Sequence, residues 1–321
     1  MPPMRLPESK IKAAIQHPEE EVRLTALRYF ADSPNDDDSV MPLVIQAVET
    51  YGVDRSFRIL RDAERLPQTE STVDWLIGQL HRSDLDLASI DNDNYRFAVA
   101  LVLCDAEPIL IAHRASKIRN APLFPRQLDK RIAETALAAS WNCQLTWKQF
   151  VELADKLSRK RKWSRYDHRR IHSLVRLLAR HRDVEAQVLV LLRRENHGIE
   201  PGLAEWFDSY IVQLAGLMRL DAAIPYLIER SHLAEDDVAD ECGDALGRIG
   251  TNAVVEAIVN DWDCGDSNFR SIMCSALERI HTDLSAQTCL ELLCDEQDGD
   301  VQLELGHALL AHFEFEGVEL V

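Results

Sequence analysis

Glycine and proline are scarce in this chain, at 12 each in 321 residues. That supply suits short turns between helices and excludes long flexible linkers or a collagen-like repeat. Cysteines number seven, at positions 104, 143, 242, 264, 274, 289 and 294. The count is odd and no pair is spaced C-x-x-C, so neither a disulfide framework nor a structural zinc site is indicated. Cys104, Cys242, Cys274 and Cys289 fall on apolar helix faces and read as buried free thiols. No apolar run approaches the ~20 residues that a membrane helix needs. No apolar signal segment follows Met1-Pro2-Pro3-Met4-Arg5-Leu6-Pro7, so 1–8 reads as a frayed leader and a cytoplasmic protein is expected. P-loop, GxGxxG and GxSxG patterns are missing, and with them the common nucleotide and hydrolase signatures.

What is present is a repeat. The segment Ala245-Leu246-Gly247-Arg248-Ile249 returns 31 residues later as Ala276-Leu277-Glu278-Arg279-Ile280, with a relative at Ala26-Leu27-Arg28-Tyr29-Phe30. A period in this range marks stacked supersecondary units. Acidic turns precede each helix: Glu19-Glu20-Glu21, Glu235-Asp236-Asp237, Asp263 to Asp266 and Asp295 to Asp300. Acids suit that position because the first turn presents unpaired N–H groups and partial positive charge. Val22, Val238, Phe269 and Val301 are expected to open the core stripe. Ala26, Ala245, Ala276 and Ala308 follow at nearly fixed offsets and let neighbouring helices approach. Gly250-Thr251-Asn252 ends one helix and starts the next, Thr282 repeats Thr251 31 residues on, and Pro42 sits where a missing N–H costs least.

These residues resemble HEAT repeats, most closely the short phycobilisome-lyase-type HEAT-like variety. The resemblance is good over roughly 200–321 and 11–50, weaker at 54–113, and degenerate between about 114 and 200. It implies an all-α fold, a right-handed α-α superhelix of about nine helical hairpins, running as a single solenoid over 1–321. It also implies a protein that binds other macromolecules. Some proteins of the family are di-iron hydroxylases with repeated His-Glu dipeptides, and this chain contains none. Others are DNA glycosylases with a basic, aromatic concave surface. Here six tryptophans and Asp74, beside Trp75, are the candidates for that role.

One segment breaks the pattern. The net charge is −18, yet Lys156 to Arg182 holds 11 Lys or Arg and a single acid, Asp167, for +10 over 27 residues. The remainder therefore carries −28. Ile171, Leu174, Val175 and Leu178 fall at i, i+3, i+4 and i+7 and predict one buried helix stripe. Arg169, Arg176 and Arg180 then share the opposite side, while 158–166 reads as a loop or exposed turn. Lys160, Arg161, Trp163, Arg165, Tyr166, Arg169, Arg170, Arg176 and Arg180 are the candidate partner-binding residues. Three readings stand for the segment: an internal match to acidic neighbours, a docking site for an acidic protein, or a phosphate or nucleic-acid contact.

His168 and His172 have a spacing that can hold a metal, but no third ligand accompanies them and arginines surround them. The acidic turns lack calcium-loop spacing and read as helix starts. As a row they are also a candidate edge for a basic partner. No cofactor, metal or small-molecule substrate is inferred, and no catalytic residue can be named. Past Gly317, Val318-Glu319-Leu320-Val321 reads as the start of another helix, so a continuing chain or a second chain is expected at that end. The sequence points to a non-enzymatic interaction scaffold or adaptor with a protein partner and no membrane. The alternative is a nucleic-acid-associated, glycosylase-like protein using 159–170.

Overall fold

The computed structural model describes residues 5–33, 36–85, 88–159, 165–193, 201–233 and 236–313, leaving aside the side chains of 158, 165, 166, 168, 201–206, 233, 236 and 237. All regular structure among the described residues is helical. The chain divides into two compact units, Pro7–Trp141 and Asn142–Val321 joined by Met1–Leu6.

The first unit contains α1 (Glu8–Ala14), α2 (Glu20–Ala31), α3 (Val40–Tyr51), α4 (Phe57–Asp62), α5 (Glu70–Gln79), α6 (Ile90–Asp105), α7 (Pro108–Ala112), α8 (Ala115–Arg119) and α9 (Asp129–Ala138). Helices α2, α4 and α6 stack in sequence, with α3 against α5 behind them. Ala26 is buried as its repeat position requires, but Val22 is 39 % exposed. Arg23 takes the inner position instead, fully buried. Its guanidinium donates to the carbonyls of His17, Pro18 and Arg55 at 2.8–2.9 Å and lies 4.2 Å from the Tyr51 ring centre. A cation can enter the core there because three carbonyls and an aromatic face replace its water.

The second unit contains α10 (Cys143–Ser158), α11 (Arg165–Ala179), α12 (Glu185–Leu192), α13 (Pro201–Leu217), α14 (Ile224–Leu233), α15 (Asp236–Ile249), α16 (Asn252–Asp261), α17 (Ser267–Arg279), α18 (Asp283–Asp295) and α19 (Gly299–Ala311). Helices α11, α13, α15, α17 and α19 touch in succession and form one layer. Helices α14, α16 and α18 form a second. This two-layer stacking of sequential helices is the solenoid arrangement that the repeat predicts.

Small residues make the first layer close-packed. Ala245, Ala276 and Ala308 are fully buried. A Cβ on Gly216 would lie 2.6 Å from Ala245 Cα, so α13 and α15 meet backbone to backbone. The acidic turns start helices as expected. Asp266 accepts from Phe269 N at 2.8 Å, Thr282 from Ser285 N at 3.1 Å, and Asp298 from Asp300 N at 3.0 Å. Gly250, at φ +69°, ends α15, and Thr251 precedes α16.

Glu296 shows how such a turn is locked. Its side chain is 1 % exposed, accepts from Arg270 Nη1 at 3.0 Å, and takes the Gln297 and Asp298 amides at 2.8 and 3.0 Å. Arg5 and Leu6, placed in a frayed leader by the sequence reading, lie against the last hairpin. Arg5 pairs with Asp283 at 2.9 Å and Leu6 N donates to Phe313 O at 3.2 Å. The expected further helix beyond Gly317 falls outside the described residues.

Candidate functional site

Helix α11 buries the stripe its spacing predicts: Ile171, Leu174, Val175 and Leu178 are each at most 4 % exposed. They face α10 and α13. Arg169 and Arg180 are exposed, whereas Arg170 and Arg176 are half-buried. Arg176 is drawn in because it follows Val175 at the edge of the stripe. Of the segment read as a loop or exposed turn, Arg165 and Tyr166 form the first turn of α11. The helix starts earlier than its apolar stripe because exposed turns need no apolar residues. Lys160, Arg161 and Trp163 lie outside the described residues. Arg169, Arg170 and Arg176 lie along α11, and Arg180 follows its last residue.

His172 connects that helix to its neighbours. Its Nδ1 lies 3.0 Å from Gln213 Oε1 on α13, and Gln213 Nε2 donates to Glu241 Oε1 on α15 at 2.7 Å. With Oε1 as the acceptor, His172 carries its proton on Nδ1. Three consecutive helices are therefore tied by a His–Gln–Glu row. Gln213 is 6 % exposed, so its amide is committed to these two partners. Tyr210 packs edge-on against Phe150 and His172, with ring centres 6.4 and 5.6 Å away. Burial, and then the charge of Glu241, push its phenol up to about 12.

Beside the row is a pocket of about 400 Å³, lined by His172, Ser209, Tyr210, Gln213, Asp240, Glu241 and Asp244. Burial raises the Glu241 carboxyl above the usual range, and the Gln213 bond and Arg248 offset part of that. Glu241 Oε2 is buried and has no hydrogen-bond partner among the described residues. Asp244 pairs with Arg248 at 3.5 Å and, across the helix layer, with Arg279. The pocket gathers carboxylates and neutral acceptors. It attracts positive charge and hydrogen-bond donors, the opposite preference to the basic segment on α11.

The sequence reads His172 as part of a polar helix face rather than as a metal ligand, and does not single out Tyr210, Gln213 or Glu241. A signal was present: Gln213 is a lone amide inside the apolar run Ile211-Val212-Gln213-Leu214-Ala215. Among the described residues no cluster of His, Cys, Asp and Glu is arranged to hold a metal.

The other candidates have structural partners. Asp74 receives Arg114 Nε at 2.9 Å and Nη2 at 3.3 Å, which hold its carboxyl below the ordinary value. Trp75 donates to Glu49 at 2.9 Å, Trp147 packs on Phe150 and Phe207, and Trp262 is buried. Cys104, Cys242, Cys274 and Cys289 are buried thiols, and burial pushes Cys242 and Cys289 up to about 12. Among the described residues no helix is long and apolar enough to cross a membrane.

No protein-family model matches the chain, and no curated protein matches it. Solved structures that are similar to it include an engineered protein at 16 % identity, covering 95 % of this chain and 88 % of that one, with a TM-score of 0.28. A designed armadillo repeat protein in complex with the peptide (KR)4 follows at 12 % identity, 96 % and 100 % coverage and a TM-score of 0.24. A computationally designed armadillo repeat protein for modular peptide recognition follows at 13 % identity, 94 % and 98 % coverage and a TM-score of 0.23. Scores this low carry no argument, and the helical-repeat fold stands on the helices and their packing.

Proposed function

We propose that this chain is a non-enzymatic scaffold, a single HEAT-like array over 1–321, that holds a protein partner on the face made by α11, α13 and α15. The supporting observation is the polar, carboxylate-lined cleft crossing three successive helices, one of which carries arginines of the basic segment. It offers hydrogen-bonding walls of carboxylate, amide, imidazole and hydroxyl groups. Lys160, Arg161, Trp163, Arg165, Tyr166, Arg169, Arg170, Arg176 and Arg180 are assigned to the acidic side of the partner, and the carboxylates of α15 to its basic side. Charges more than about 8 Å apart are screened at physiological salt, so a local patch works despite the overall −18.

A photo-crosslinking residue at position 169, with a control at exposed position 259, tests this in native extract with and without nuclease. A nuclease-resistant protein joined at 169 and not at 259 is expected. It should be lost when Lys160, Arg161, Arg165, Arg169 and Arg170 are changed to Glu. Recovery of nucleic acid instead would move the assignment to the nucleic-acid reading. That reading is opposed by the carboxylate-lined pocket beside α11 and by the ion pair that occupies Asp74.

A further inference from the structure

We infer that Arg5 and Leu6 form an acid-released latch on the last hairpin, closed at neutral pH beside the ring pair His281–His312 and opened, with the helices intact, when those rings take up protons. The inference concerns the N-terminal segment and is independent of the scaffold reading. Arg5 and Leu6 belong to the second unit, although the chain passes from them into α1 of the first. Arg5 pairs at 2.9 Å with Asp283, the first residue of α18. Leu6 N donates at 3.2 Å to the carbonyl of Phe313, just past the end of α19, where Phe313 takes a left-handed backbone at φ +53°.

Two imidazoles lie beside this segment. His281 stands between α17 and α18, and His312 follows α19; their ring centres are 5.6 Å apart, edge to face. His312 is fully buried. Its Nε2 is 3.0 Å from the Leu277 carbonyl and 3.4 Å from Ser285 Oγ, which itself donates to that carbonyl. Nε2 therefore carries the ring proton. Among the described residues, the charges that act on the rings are Arg5 on both and His312 on His281. Asp283, from α18, is engaged with Arg5, and α17 contributes the carbonyls of Leu277 and Glu278.

A proton taken up here meets a second imidazole and the Arg5 guanidinium, with little water to spread the charge. Burial first, and then these neighbours, push His312 down to about 4 and His281 to about 3; the two carbonyls offset part of this. Lifting Arg5 and Leu6 away removes the guanidinium charge and admits water. Both changes return the rings towards about 6.5. The open form thus binds more protons than the closed one. Closure is fully favoured above about pH 6.5, and that advantage is lost as pH falls towards the closed-form values. The ion pair holds the latch lightly, since Asp283 is 90 % exposed and such pairs contribute little. The helices are held by their own buried stripes, so the segment opens before they do.

Amide hydrogen exchange in the full chain, corrected for its intrinsic pH dependence, tests this. Protection of the Leu6 amide should fall about tenfold or more between pH 7 and pH 5. Protection of the Gly250 amide, bonded to Leu246 O at the end of α15 in the same unit, should hold. Most of the fall at Leu6 should vanish in His312→Leu. If that variant does not fold, NMR titration of the His312 ring in Arg5→Gln gives the answer, with a midpoint above that of the unaltered chain expected. Unchanged protection at Leu6, an equal loss at Gly250, a full fall retained in His312→Leu, or an unmoved His312 midpoint in Arg5→Gln overturns the latch.

Discussion

Gln213 donates to Glu241 at 2.7 Å from a position almost closed to solvent, and that one bond ties α13 to α15 at the floor of the cleft. The amide is polar in an otherwise apolar stretch, so its placement is explained by its two partners rather than by burial of its own stem.

Replacing Gln213 with Leu should therefore be felt at Glu241. The carboxylate loses a donor that stabilises its charged form, and its pKa rises further above the ordinary range. Carbon-13 detected titration of the glutamate carboxyls reads this directly. The stability cost should be about 1 kcal/mol by urea unfolding, since Glu241 keeps partial access to water. An unmoved Glu241 titration would mean that the bond is not formed in solution.

Backbone proximity gives a second test. Gly216→Ala places a methyl 2.6 Å from Ala245 Cα, and backbone cannot step aside as a side chain can. Gly247→Ala meets Arg279 Cβ and Cδ at 3.2 Å, a looser contact with a long side chain. Both are overpacking changes in the range of about 1–3 kcal/mol, with Gly216→Ala the costlier. Equal urea midpoints for the two variants would refute the closer backbone contact at α13–α15.

The turn at Glu296 yields a third. Glu296→Ala strands Arg270 and frees two amides at once. Removing one member of a buried pair costs about 3 kcal/mol, and thermal unfolding should show it. Asp283→Ala, whose carboxylate is 90 % exposed in its pair with Arg5, should change stability far less.

These cases show what the sequence made legible. The buried stripe of α11 and the alanines of α15, α17 and α19 were readable because each helix supplies its own period and its own cap. The inner position of α2 was misread because Val22 and Arg23 are adjacent, and only the carbonyls of His17, Pro18 and Arg55 make the arginine acceptable inside. The cleft was not legible for a related reason. His172, Gln213 and Glu241 lie 41 and 28 residues apart, and only the stacking of successive helices brings them into one row. The basic run dominated the sequence, yet its neighbour in space is acidic.

Acid sensitivity should come from the last hairpin. His312 is fully buried, with Nε2 3.0 Å from Leu277 O and Nδ1 lacking a partner. Burial, and then the charge of Arg5, push it down to about 4. His281 lies against it at 5.6 Å and is lowered by burial and by His312. In the unfolded chain both imidazoles titrate near about 6.5, so below that pH the unfolded state binds more protons than the folded one. Stability from this pair is complete above about pH 6.5 and is lost as pH falls towards the folded values. The cation beside the pair is Arg5, itself paired with Asp283. Urea midpoints at pH 7 and pH 5 should therefore drop for the unaltered protein and drop less for His312→Leu, whatever that variant loses at pH 7. Parallel slopes would place the acid sensitivity elsewhere in the fold.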